Sequence, residues 1–147
     1  MIVKDVMSVN ATRIQQSATM RQAAELVSVS QNSDLMVVDE ENNFVGVLSE
    51  GDLIRAIMPT FEELMGGGGN LSEGFEIFVE NGQEMADNPI EKHIIKHPIA
   101  MDPTDPVLKA AGTMVSKQIR RLPVVENGKL VGTISRADVC RAALSQS

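Results

Sequence analysis

Tryptophan and tyrosine are absent from this 147-residue chain, and four phenylalanines bring the aromatic share to only 3%. Stacking platforms of the kind that hold single-stranded nucleic acid have almost no material here. The core must come from Val, Ile, Leu, Ala and nine Met. A single cysteine, Cys140, allows neither an internal disulfide nor a paired-thiol site, which points to a reducing compartment. No apolar run approaches the roughly 20 residues that span a bilayer. The first seven residues lack the basic and apolar regions of a signal peptide, so the expected location is the cytoplasm. Positive charge is scarce too: 13 Lys and Arg against 20 Asp and Glu leave a net −7, which disfavours duplex nucleic acid and anionic membranes as partners.

What remains is ordinary globular composition, 43% hydrophobic and 22% charged, long enough for one domain or two small units sharing a core. The charge is unevenly placed. Residues 1–84 carry four basic and fourteen acidic side chains, and residues 85–147 carry nine and six. A site for a small anion would draw its positive charge from the second half.

The chain repeats itself. A shift of 87 lays Ala23-Ala24 on Ala110-Ala111, Leu35 on Leu122 and Val37-Val38 on Val124-Val125. A shift of 86 then lays Val45-Gly46 on Val131-Gly132, Ser49 on Ser135, Asp52 on Asp138 and Arg55-Ala56 on Arg141-Ala142. The one-residue change falls between Asp39–Asn43 and Glu126–Lys129, which both read as turns, where a duplication tolerates it best. Each copy predicts an extended stretch (Thr12–Gln15; Ile99–Asp102), then a helix starting at Thr19 or at Thr104-Asp105-Pro106, with Pro106 in the first turn. A fully apolar strand follows (Leu35–Val38; Leu122–Val125), then a hairpin turn, for which Asn127-Gly128 is a strong signal. A paired strand (Phe44–Leu48; Leu130–Ile134) and a helix from Ser49 or Ser135 to about Met58 or Leu144 complete the unit. Between the copies, Pro59–Met65 and Leu71–Glu80 predict short helices around Gly66–Gly69. Three of the four Phe lie in this spacer, so it is expected to pack against the repeats or a second subunit.

Two β-α-β-β-α copies carrying Arg120-Arg-Leu-Pro-Val-Val125, Gly46-Val-Leu-Ser-Glu-Gly-Asp52 and Gly132-Thr-Ile-Ser-Arg-Ala-Asp138 resemble a tandem pair of cystathionine-β-synthase (CBS) domains, the Bateman module. The implied fold is α/β in the α+β sense: two pseudo-twofold-related repeats, 1–58 and 86–147, with a helical spacer at 59–85. The resemblance implies clefts for an adenosine-containing ligand such as AMP, ADP or ATP, with S-adenosylmethionine as an alternative. It implies ribose contacts from Ser49 and Asp52, and from Ser135 and Asp138. Adenine contacts would come from Thr12, Ile14, Met36 and Val37 in the first copy and Ile99, Met101, Pro123 and Val124 in the second. Phosphate contacts would come from Arg120 and Arg121, with Arg136 beside them. It also implies a homodimer, and a regulatory role without catalysis.

The chemistry suits these residue types. A carboxylate accepts both hydroxyls of a ribose diol, and guanidinium groups hold phosphate through paired bonds. Ser-x-x-Asp ahead of an apolar helix is equally a capping box, and the two roles are compatible. The first-copy counterparts of Arg120-Arg121 are Ser33-Asp34. If phosphate recognition crosses between copies, Ser49 and Asp52 share a cleft with the two arginines, while Ser135 and Asp138 face Asp34 in a weaker one. The tetraglycine lacks the Gly-Lys-[Ser/Thr] of a phosphate loop. His93 and His97 precede Pro98 without a third metal ligand, and no paired acid and base or activated nucleophile can be named. The rival reading is an interaction protein with vestigial clefts and the Phe-bearing spacer as its working surface.

Overall fold

Two serines turn strand into helix in the same way. Ser49 Oγ accepts the Asp52 N–H at 3.2 Å, and Ser135 Oγ accepts that of Asp138 at 3.1 Å. Each aspartate returns the bond by accepting the serine N–H at 2.9 Å. Both are complete capping boxes, and they fix the helix start to one residue in each half. The computed structural model describes residues 1–66 and 68–145.

The first half runs through helix α1 (Val3–Val6), strand β1 (Arg13–Gln15), helix α2 (Met20–Ser30), strands β2 (Asp34–Val38) and β3 (Phe44–Ser49), and helix α3 (Glu50–Ile57). Helices α4 (Phe61–Gly66) and α5 (Leu71–Met85) form the connection. A 3-10 turn (Ile90–His93), strand β4 (Ile95–Lys96), helix α6 (Val107–Ser116), strands β5 (Arg121–Glu126) and β6 (Lys129–Ser135), and helix α7 (Arg136–Leu144) follow. The α+β repeat is there in both halves. In each hairpin the register slips at the same point, Val37/Val38 and Val124/Val125, and Asn127 and Gly128 both take positive φ in the tight turn.

The sheets exchange edges. The first has the order β1-β2-β3-β4, so an edge strand from beyond the connection, Ile95–Lys96, completes it. In the second, β5 and β6 are flanked by single bridges: Met101 lies parallel to Val124, and Ser8 antiparallel to Thr133. Thus the N-terminal segment closes the second sheet. Two glycines make this possible. A Cβ on Gly46 would collide with the Ile95 carbonyl oxygen, and one on Gly132 would stand 2.6 Å from that of Ser8. The cores follow suit: Ile90 and Ile94 are buried with Leu35, Val37 and Leu48, while Val3 is buried with Leu122, Val124 and Ile134. A third cluster of Met36, Val38 and Leu130 joins the halves. There Arg13 donates to Asn42 Oδ1 (3.1 Å) and the Leu130 carbonyl (3.2 Å), and the Phe44 N–H bonds the Gly128 carbonyl (2.8 Å).

Three local expectations change. Ile99–Asp102 is not a full strand, because the Asp102 N–H turns to Asp105 Oδ2 and Asp102 Oδ1 accepts from Thr104. This aspartate-led turn competes with the ladder. Pro106 is the N-cap of α6 rather than a residue of its first turn. The second spacer helix runs past Glu80 to Met85, because Asn81 Nδ2 bonds the Ile57 carbonyl (3.1 Å) and Gly82 sits against the Ile57 side chain. Tertiary contact thereby overrides the weak helix propensity of Asn-Gly. Among the described residues no helix is long and apolar enough to cross a membrane.

Candidate functional site

The starts of the two central strands lie close enough to share one cavity of about 630 Å³. Ser33 and Asp34 enter it from the first half and Gln118 to Pro123 from the second. Ser49, Glu50, Gly51 and Ile54 line it from α3 and the residue that caps it, with Ile95, Pro98 and Ile99 from the exchanged segment. Ile54, Ile95, Pro98, Ile99 and Pro123 supply an apolar wall, and Asp34, Glu50, Arg120 and Arg121 supply a charged rim. A volume of this order suits a nucleoside-sized molecule.

The charged rim is mixed. Arg120 is exposed and Arg121 half-buried, with Arg121 Nη1 donating to Thr133 Oγ1 at 3.2 Å. Asp34 is half-buried in the same cavity. Burial pushes its carboxyl above the ordinary range, the Arg120 and Arg121 guanidiniums pull it back, and the Glu50 and Asp52 carboxylates add to the push. Asp34 therefore shares the cavity of the two arginines; the expectation that it would face Ser135 and Asp138 is corrected. The reason is topological. Asp34 pairs with Ser49 across the β2–β3 hairpin, so wherever Ser49 goes, Asp34 follows. Glu50 was also missed. The repeat offered the signal, since Glu50 follows Ser49 as Arg136 follows Ser135.

The other sequence-derived positions divide cleanly. Ser49, Arg120, Arg121, Ile99 and Pro123 meet at the cavity. Asp52 lies just behind, with Oδ2 accepting from the Ser49 N–H and hydroxyl and Oδ1 from Arg55 Nη2. That arginine side chain is 70% exposed, so the Oδ1 contact is exchangeable with solvent or solute. Asp138 repeats the arrangement with Ser135 and Arg141. Arg136 is committed elsewhere: Nε bonds the Ile119 carbonyl (3.0 Å) and Nη2 the Met114 carbonyl (3.2 Å). Met36, Val37, Met101 and Val124 are at most 2% exposed and belong to the core clusters. Ile14 is in the first core, and Thr12 Oγ1 accepts from Asn32.

The comparisons with known proteins agree on this frame. The family model described as the CBS domain matches twice, at residues 3–59 and 90–145. The crystal structure of CBSX2, a CBS-pair protein from Arabidopsis thaliana, is 25% identical with a TM-score of 0.79, covering 98% of this chain and 94% of that one. The structure of CBSX2 in complex with AMP, 24% identical, has a TM-score of 0.73 and covers 98% and 96%. Among curated relatives, an uncharacterized protein of Methanocaldococcus jannaschii, MJ1225, is 26% identical over 136 residues, 92% of this chain. The chain spans 40% of that relative's length, and 66% of an uncharacterized 17.7 kDa protein of Acidianus ambivalens. Two model matches cover most of the sequence, on either side of the α4–α5 connection. The chain belongs to the CBS-domain family and carries two copies of the domain.

Proposed function

We propose that this chain is a non-catalytic regulatory module that takes an adenosine-containing ligand into the shared cavity. The observation that supports this is the meeting of Ser49, an apolar wall and two guanidiniums in one nucleoside-sized space. The base would lie on Ile95, Pro98, Ile99 and Pro123. Ser49 would meet the ribose, with Asp52 Oδ1 exchanging its exposed Arg55 partner for a hydroxyl. Arg120 and Arg121 would hold the anionic end through charge-assisted bonds. In the apolar core, Met36, Val37, Met101 and Val124 would support the site from behind. Two crystal structures of similar fold lend weight: CBSX2 in complex with AMP, and the CBS domain pair of MJ0100 in complex with 5′-methylthioadenosine and S-adenosylmethionine.

Binding would act by linkage, since a ligand at a hundredfold over its dissociation constant stabilises the bound form by about 2.7 kcal/mol. The readout would be a homodimer or a regulated partner in the cytoplasm. Calorimetric titration with AMP, ADP, ATP and S-adenosylmethionine, with GTP as the control, tests the reading. Saturable binding of at least one adenosine compound and none of GTP is expected. Silence with every adenosine compound overturns it in favour of an interaction protein with vestigial clefts.

A further inference from the structure

Helix α5 carries three strips along its length. The first faces inward: Gly74 is buried against Leu64, Ile77 and Phe78 are half-buried, Asn81 bonds the Ile57 carbonyl, and Met85 packs on the first core. The second is Leu71, Phe75 and Val79, spaced four apart and thus stacked on one face, with exposures of 91%, 64% and 40%. The third is Glu73, Glu76, Glu80 and Glu84, all exposed. A helix that already buries one face has no structural need for a second apolar strip, and exposed apolar strips of this kind mark contact surfaces. Nearby, the Phe75 and Phe78 rings stack at 6.2 Å.

The charge around the strip decides what fits it. From residue 56 to residue 91 the chain has eight acidic side chains and no Lys or Arg. A second copy laid on this strip would bring acid against acid, and an anionic membrane would be repelled. We propose that α5 is a docking surface for a basic amphipathic helix of a partner protein, its apolar residues on Leu71, Phe75 and Val79 and its Lys or Arg side chains over Glu76 and Glu80. From Leu71 to Val79 the strip spans nine residues, about 12 Å of helix, so the partner needs apolar anchors over two to three turns. This inference does not depend on what the cavity binds.

The test uses the full chain and fluorescence anisotropy with three labelled synthetic helices: one with Leu at i, i+4 and i+8 flanked by Lys, its sequence-scrambled form, and the same Leu pattern flanked by Glu. Saturable binding is expected for the first, about tenfold weaker binding for the scramble, and none for the third. Phe75→Ser should weaken binding about tenfold, as should Leu71→Ser, whose side chain is exposed enough to be changed without disturbing the fold. Glu76→Gln with Glu80→Gln should weaken it and flatten its salt dependence. Equal binding of helix and scramble, or unchanged binding by the Leu71 and Phe75 variants, overturns the proposal. So does sedimentation showing a dimer that Leu71→Ser dissociates, which would make the strip an interface between copies.

Discussion

The two repeats place opposite charges on the same backbone frame. Ser49 is followed by Glu50, and Ser135 by Arg136; β2 opens on Asp34, and β5 on Arg121. In the first half the acids face the cavity, whereas in the second Arg120 and Arg121 do. Arg136, at the position equivalent to Glu50, turns away to cap the carbonyls of Met114 and Ile119 near the end of α6. What duplication kept is the structural part: caps, register slip, and the glycines under the exchanged edges. What diverged is the side chain just before or after each kept residue, and that is enough to make one cleft mixed in charge while the other arginine becomes part of the fold.

Exchange of edges gives the largest expected effect. Ile90 and Val3 are both fully buried, each in the core of the half that its sequence position would not suggest. Ile90→Ala should cost about 2–5 kcal/mol. Hydrogen exchange should show its loosening chiefly in β2 and β3, and Val3→Ala should loosen β5 and β6 instead. If Ile90→Ala loosened β5–β6 as much as β2–β3, the exchange would carry no local consequence and the halves would behave as one cooperative unit.

Next in size is the contrast between arginines. Arg120→Ala with Arg121→Ala removes two charge-assisted bonds to an anionic ligand and should weaken its binding about a hundredfold in calorimetry. Arg136→Ala should leave affinity within about twofold while lowering stability by about 1 kcal/mol, the worth of its carbonyl contacts. If Arg136→Ala abolished binding and the double variant did not, the functional cleft would be the one built on Ser135 and Asp138.

Much of this was legible from the sequence, for a physical reason. Strands buried on both faces, tight turns and capping boxes are dictated by residues within a few positions of one another, so Leu35–Val38, Asn127-Gly128 and Ser49-x-x-Asp52 announce themselves. The edge exchange is not local. A short segment such as Val3–Met7 carries an apolar pattern that would fit either core, although extending the 87-residue shift to lay Val3 on Ile90 would have paired the two segments. The apolar wall was half legible: Ile99 and Pro123 reach the cavity, but Met36, Val37, Met101 and Val124 sit on the same kinds of strand and face the core. A central strand with two apolar faces does not reveal which one is open. Asp34 was misplaced because its position follows from hairpin pairing with Ser49, not from its neighbours in sequence.

The smallest expected effect is the sharpest probe of the mixed rim. Asp34 holds its proton more tightly when folded than its ordinary value near 3.8, with burial the main cause. The folded state then binds more protons than the unfolded chain, so stability falls as pH rises through the window above about 3.8. Asp34→Asn removes that penalty. It should raise the melting temperature at neutral pH by a few degrees at most, a gain that shrinks toward zero as pH falls below 3.8, where the folded and unfolded wild type are both protonated. The same substitution deletes a negative charge facing Arg120 and Arg121, so a triphosphate should gain more affinity from it than a monophosphate, and the wild type should bind both more tightly as pH is lowered toward Asp34's raised range. A variant that melts like the wild type at neutral pH and keeps its ratio of triphosphate to monophosphate affinity would place Asp34 outside the ligand's field, and with it the argument that the acids of the first repeat set the charge the cavity accepts.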